Sequence, residues 1–101
     1  MLFHVTKQAE RELDQIFVYW ARRTNLDIAD RLIDSIEERF VLLGDYPDVG
    51  RKCDEIASGV LRFLAGDYLI YYRKKRSIID VVHVFHGARD LARAFTPEGS
   101  K

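Results

Sequence analysis

Residues Val60–Asp90 read VLRFLAGDYLIYYRKKRSIIDVVHVFHGARD. Three runs rich in β-branched and aromatic residues, 60–64, 68–73 and 78–85, are divided by Ala65-Gly66-Asp67 and by Lys74–Ser77. Strand-like runs joined by such short turns must pair antiparallel. In the middle run Tyr68, Ile70 and Tyr72 point one way, and Leu69, Tyr71 and Arg73 the other. In the last run strict alternation predicts Ile78, Asp80, Val82 and Val84 on one face, and Ile79, Val81, His83 and Phe85 on the opposite one. Both faces are rich in apolar side chains, whereas a sheet wetted on one side alternates cleanly.

Upstream, Leu2-Phe3-His4-Val5 has extended character and is expected to join this sheet. Thr6 is a good N-cap for a helix over Lys7–Arg23. Ala9, Leu13, Ile16, Phe17 and Trp20 fall on one helical face. Asn25 can cap a second helix, from Leu26 to about Leu43, with the stripe Ala29, Leu32, Ile33, Ile36, Phe40 and Leu43. The short break makes the two helices an antiparallel hairpin, whose apolar stripes require a sheet face to cover them. Gly44 suits the helix end and Pro47 prevents continuation. Residues 51–58 read as either extended chain or loop. The expected fold is therefore α+β: an N-terminal strand, then an antiparallel two-helix hairpin packed on a small antiparallel sheet. Two helices most simply cover one sheet face. The other is expected to expose apolar and aromatic area bordered by basic residues, as partner-binding surfaces do.

The length of 101 residues fits one domain of the usual ~100–150 residues, with 96–101 expected as a flexible tail. The single cysteine, Cys53, has no partner for an internal disulfide, which suits a reducing, cytoplasmic setting. No apolar run approaches the ~20 residues of a membrane span, and the N-terminus lacks a secretory pattern. The formal net charge of zero hides a split. Residues 1–59 carry 8 Lys/Arg against 12 Asp/Glu, and residues 60–101 carry 8 against 4. A basic sheet region thus follows an acidic helical one. It either faces an acidic partner or nucleic acid, or is neutralised by the chain's own helices.

His83, His86, Cys53 and Asp90 have no metal-ligand spacing, and strand residues three apart face opposite ways. No metal and no cofactor is expected. Cys53 lacks the context of a nucleophile, and the glycines are isolated rather than a phosphate loop. The polar constellation is Arg62, Arg73, Lys74, Lys75, Arg76 and Arg89, with Tyr71, Tyr72 and His86 nearby. Metal-free RNA cleavage needs a base, an acid and cations for the phosphorane. His86, a tyrosine and Arg62 match that inventory. Lys74–Arg76 read better as a solvated hairpin tip than as part of such a site.

With the helical hairpin, the segments Tyr-Pro-Asp-Val-Gly-Arg (46–51), Gly-Val-Leu-Arg-Phe (59–63), Tyr-Leu-Ile-Tyr-Tyr-Arg (68–73) and Val-Phe-His-Gly-Ala-Arg-Asp (84–90) occur in an order and spacing that resemble the ParE toxins. These belong to the ParE/RelE superfamily of bacterial type II toxin–antitoxin modules, and the resemblance covers residues 2–95. It implies plasmid-stabilisation-type modules in which a ParD-like antitoxin, encoded alongside, wraps the toxin. ParE-like members poison DNA gyrase, whereas RelE-like members cut mRNA in the ribosome. The nuclease branch carries a C-terminal Tyr. Here the tail after His86 holds Phe95 and no Tyr, and a Phe transfers no proton. The His-Gly-Ala-Arg-Asp ending is similar to the gyrase-directed branch, although His83 stands where many relatives have Arg. The expected activity is that of a non-enzymatic gyrase poison. The alternatives are a ribosome-dependent endonuclease, the one case calling for nucleic-acid contact, and an inactive relative retained for binding. Expected target contacts are Arg62, Arg73, His83, His86 and Arg89. Expected antitoxin contacts are Leu69, Tyr71 and Phe85.

Overall fold

A computed structural model describes residues 2–87. Strand β1 (Leu2–Val5) leads into α1 (Lys7–Arg23) and α2 (Leu26–Asp45); β2 (Arg51–Lys52), β3 (Val60–Ala65), β4 (Tyr68–Lys74) and β5 (Ile78–His86) follow. Both helices start where the capping residues predict. The Thr6 hydroxyl accepts from the Ala9 N–H at 3.2 Å, and the Asn25 side chain accepts from the Ile28 N–H at 2.9 Å. Such caps each stabilise a helix by about 1 kcal/mol. Helix α2 runs through the buried Gly44 and stops at Tyr46, just before Pro47.

The sheet has five strands in the order β1-β5-β4-β3-β2. The three hairpin-linked strands pair antiparallel as expected, but β1 lies parallel to β5, with Leu2 opposite Ile78 and Val5 opposite Val81. The connection between them runs through both helices and then through β2, β3 and β4, a long crossover of the kind that parallel pairing requires. The sheet is thus mixed rather than antiparallel throughout. Residues 51–52, ambiguous in sequence, form a short edge strand against β3.

One sheet face packs on the helices. Leu61, Ala65, Tyr68, Ile70, Tyr72, Ile79, Val81 and Val84 join Ala9 and Leu13 from α1 and Ile36, Phe40 and Leu43 from α2. Ile36, Phe40 and Leu43 are fully buried, and each such side chain stabilises the fold by about 1.5–3 kcal/mol. Phe3 anchors β1 by a tilted contact with Phe40, ring centres 5.6 Å apart.

The alternation predicted for β5 fails halfway. Tyr71 pairs with His83 but Tyr72 with Val81, so Val82 is an extra residue in the ladder. A bulge of this kind resets the phase of the strand. Val84 therefore turns to the helices alongside Ile79 and Val81, while Phe85 packs with Val82 on the opposite face. Tyr72 closes the loop before β2. Its hydroxyl donates to the Pro47 carbonyl and accepts from the Gly50 N–H, both at 2.9 Å.

Candidate functional site

The sheet face turned away from the helices gathers most of the residues singled out from the sequence. Cross-strand pairing aligns them in rows: Leu64–Leu69–Phe85, Arg62–Tyr71–His83 and Val60–Arg73–Asp80. Paired residues on neighbouring strands project on the same side, with Cβ atoms about 4.5–5.5 Å apart. Arg62, Arg73 and His83 therefore share one surface with Leu69, Tyr71 and Phe85.

This face is less bare than its apolar sequence predicts. Residues 53–57 fold over it, and Cys53, Val60, Tyr71 and Phe85 form a second buried cluster with Ile56, Ala57, Leu69 and Val82. The overlying segment is held by its own hydrogen bonds. The Cys53 N–H donates to the Val60 carbonyl, Val60 N–H to the Ala57 carbonyl, and Gly59 N–H to the Asp54 carboxylate. Tyr71 is 0% exposed and Phe85 4%, so neither presents its ring to a partner, whereas Leu64 is 61% exposed. Leu69 is half-buried. Leu64 is therefore the exposed apolar side chain of these rows, with the half-buried Leu69 paired to it at the β3–β4 end of the face.

The electrostatics follow from this burial. Burial pushes the Tyr71 phenol above its ordinary range, and the Arg62 guanidinium, bonded to it and positively charged, holds the rise back. Burial likewise raises the Cys53 thiol, again opposed first by Arg62. Arg62 thus lies between two buried polar groups and the surface. Arg73 donates to the Ser58 carbonyl at 3.4 Å, which ties it to the overlying segment. A phenol raised in this way keeps its proton and makes a poor general base.

His83 is organised by a residue that the sequence did not mark. Glu12 of α1 is 6% exposed. Its carboxylate accepts from the Val84 N–H at 2.9 Å and from Gln8 at 3.2 Å, and lies 2.9 Å from His83 Nδ1. Strand β1 ends at Val5, opposite Val81, so among the described residues no strand flanks β5 on this side beyond that point. Glu12 supplies the missing acceptor. The His83 ring also stacks on Phe85, centroids 4.8 Å apart. The sequence signal for Glu12 is a carboxylate next to Leu13, at the border of the apolar stripe of an amphipathic helix.

His86 departs from this group. It pairs with Tyr68, whose side chain belongs to the helix face, and meets that ring edge-on at 5.4 Å. It lines a groove of about 520 Å³ between α1 and the end of β5, with Ile16, Tyr19, Trp20 and Tyr68. The Trp20 indole donates to the Tyr68 hydroxyl at 2.7 Å in its wall. Arg89, Phe95 and the expected 96–101 tail lie outside the described residues.

Residues 3–91 match the family model described as ParE toxin of type II toxin-antitoxin system, parDE. The chain is 30% identical over 86 residues to Toxin ParE1 of Mycobacterium tuberculosis (strain CDC 1551 / Oshkosh), covering 84% of this chain and 88% of that one. It is 22% identical over 89 residues to Toxin ParE1 of Caulobacter vibrioides, covering 86% and 93%. A solved structure titled Chromosomal ParDE TA system from P. aeruginosa superposes with a TM-score of 0.75 at 18% identity, covering 85% of this chain and 95% of the other.

Proposed function

The chain belongs to the ParE toxin family of type II toxin–antitoxin systems, and from that premise we propose that it arrests growth by binding DNA gyrase. In this reading it works in the cytoplasm, catalyses no covalent step and is neutralised by a cognate, ParD-like antitoxin. The observation that carries it is the state of the basic face. Arg62, Arg73 and His83 stand in adjoining rows, but the phenol among them, Tyr71, is buried and held protonated. The face offers cations for an acidic protein surface and no tyrosine placed to move a proton. We assign target contact to Arg62, Arg73 and His83, with His86 at the margin of that face, and to Arg89, which lies outside the described residues. Antitoxin contact falls on Leu69 and the exposed Leu64, while Tyr71 and Phe85 support that surface from below.

The test is a supercoiling assay with purified gyrase, the toxin, and the toxin preincubated with its antitoxin. Inhibition relieved by the antitoxin is expected; supercoiling untouched by the active, folded toxin would overturn the reading. One observation favours ribosome-dependent mRNA cleavage as a second reading: Arg62 and His83 flank an aromatic residue on a basic sheet. A translation extract run in parallel decides it, since transcripts cut at codons would establish that activity.

A further inference from the structure

Among the described residues β1 is a terminal strand of the sheet, paired on one side. The Thr6 N–H bonds the Val81 carbonyl at 3.0 Å. Peptide groups alternate in direction along a parallel ladder. Leu2 and His4 therefore share that inner edge, while Phe3 and Val5 turn their N–H and C=O groups outward. No other strand among the described residues pairs with them. Beside this outer edge lies a groove of about 480 Å³, with Phe3 and Val41 as its apolar lining and Asp34, Glu37 and Glu38 as its acidic lining. Leu2, pointing to the other side of the sheet, is 74% exposed, and Val41 is 54% exposed. Burial pushes the Glu37 carboxyl up, and the neighbouring Asp34 charge adds to that rise.

We propose that β1 takes an extended segment of a partner protein as a sixth strand, one in which Lys or Arg alternates with apolar residues. The strand's main chain bonds the outward groups of Phe3 and Val5. Alternate side chains then fall on opposite sides of the sheet. Those on the helix side enter the groove. There a Lys or Arg stem covers Phe3 and Val41 while its cation reaches Asp34, Glu37 and Glu38, as long basic side chains do at apolar surfaces. Those on the other side are apolar and cover Leu2. A second copy of this chain is the wrong occupant, because edge-to-edge pairing would bring two such acidic sets together. The proposal rests on the toxin reading only for the source of the strand, which is then the antitoxin.

The probe is an acetylated, amidated nonapeptide alternating Lys and Val, with a Glu/Val counterpart as control, titrated into the full chain by calorimetry. The Lys/Val peptide is expected to bind and the Glu/Val peptide not. Replacing Asp34→Asn, Glu37→Gln and Glu38→Gln together weakens binding by about tenfold, the sum expected of three exposed ion pairs. These side chains are exposed, so the variant keeps its fold, which circular dichroism verifies. N-methylation at alternate residues, in either of the two registers, abolishes binding for one register because it removes the main-chain donors facing β1. Binding that survives both methylated peptides, or that ignores the triple substitution, overturns the strand-addition proposal. Hydrogen exchange in the toxin–antitoxin complex assigns the source. Slowed exchange at the Phe3 and Val5 amides supports the antitoxin. Unchanged exchange there, with the peptide still binding, overturns that source alone, and gyrase inhibition is read separately.

Discussion

Replacing Glu12 by Ala should be among the most damaging single changes on α1, although Glu12 is a charged residue on an amphipathic helix. Its carboxylate is almost completely buried, and three donors or partners converge on it: Val84 N–H, Gln8 and His83. Truncation leaves the Val84 N–H at the unpaired part of the β5 edge without an acceptor. A buried donor left unsatisfied costs about 1–3 kcal/mol, and the lost hydrogen bonds to a carboxylate add to this. A total of about 2–4 kcal/mol is expected, equivalent to a fall in Tm of about 10–25 °C for a domain of this size. Glu12→Gln keeps one oxygen for Val84 and should cost about 1 kcal/mol. Urea unfolding of the three proteins measures both values. Hydrogen exchange at the Val84 amide should accelerate in the Ala variant well before global unfolding. An Ala variant within 0.5 kcal/mol of the parent, or a Gln variant as unstable as Ala, would refute the edge-capping argument.

Gly50→Ala should destabilise strongly, because an added Cβ would lie 2.4 Å from the Tyr72 hydroxyl and 2.9 Å from the Arg62 carbonyl. Tyr72→Phe, which removes both hydroxyl bonds from that loop, should cost about 1–3 kcal/mol by chemical denaturation. Burial alone would raise the Asp80 carboxyl, but hydrogen bonds from His4 and Lys75 outweigh it and hold it below its usual range. A carboxyl lowered in the folded state contributes stability above its unfolded value of ~3.9, and the contribution is lost as pH falls through the folded value. Asp80→Asn should therefore flatten the acid limb of a stability–pH curve below about pH 4, by no more than about 1 kcal/mol for so open a pair. Cys53 is 1% exposed and its thiol is raised by burial, so a thiol reagent should label it at the rate of unfolding rather than at the rate of a free thiol.

The helices were legible because their signals are local. Thr6 and Asn25 cap where expected, and the stripes supply Ala9, Leu13 and Ile16 from α1 and Leu32, Ile33, Ile36, Phe40 and Leu43 from α2 to the core beneath the sheet. The three hairpin strands were legible from their turns. What the sequence hid was non-local. The parallel seat of β1 depends on how the two helices and then β2–β4 return the chain to β5, and no residue in Leu2–Val5 encodes that direction. The bulge at Val82 carries no glycine or other mark, so an alternation count runs through it and assigns Val84 and Phe85 to each other's faces. The cover over Tyr71 comes from residues 53–57, whose only apolar members, Cys53, Ile56 and Ala57, show no period. The Glu12 contact joins positions 71 residues apart in sequence to His83, which helical periodicity alone cannot reveal.

The buried state of Tyr71 allows the two readings of the basic face to be separated with one atom. Tyr71→Phe removes the hydroxyl and keeps the ring that packs against Phe85 at 6.0 Å. If the phenol carried a proton in a cleavage reaction, its loss would remove a general-acid contribution of about 10²–10⁴-fold. If the face works by binding, the hydroxyl matters only through Arg62, which it helps to hold. Gyrase inhibition by Tyr71→Phe should then stay within a few-fold of the parent, whereas Arg62→Ala, which deletes an outward cation, should weaken it by tenfold or more. Tyr71→Asp is a different experiment: it places a carboxylate in a cluster that excludes water, and the expected result is unfolding rather than selective loss of antitoxin binding. A Tyr71→Phe protein that is folded yet as inactive as Arg62→Ala would mean that the phenol itself meets the target, and the covered face would have to open for it to do so.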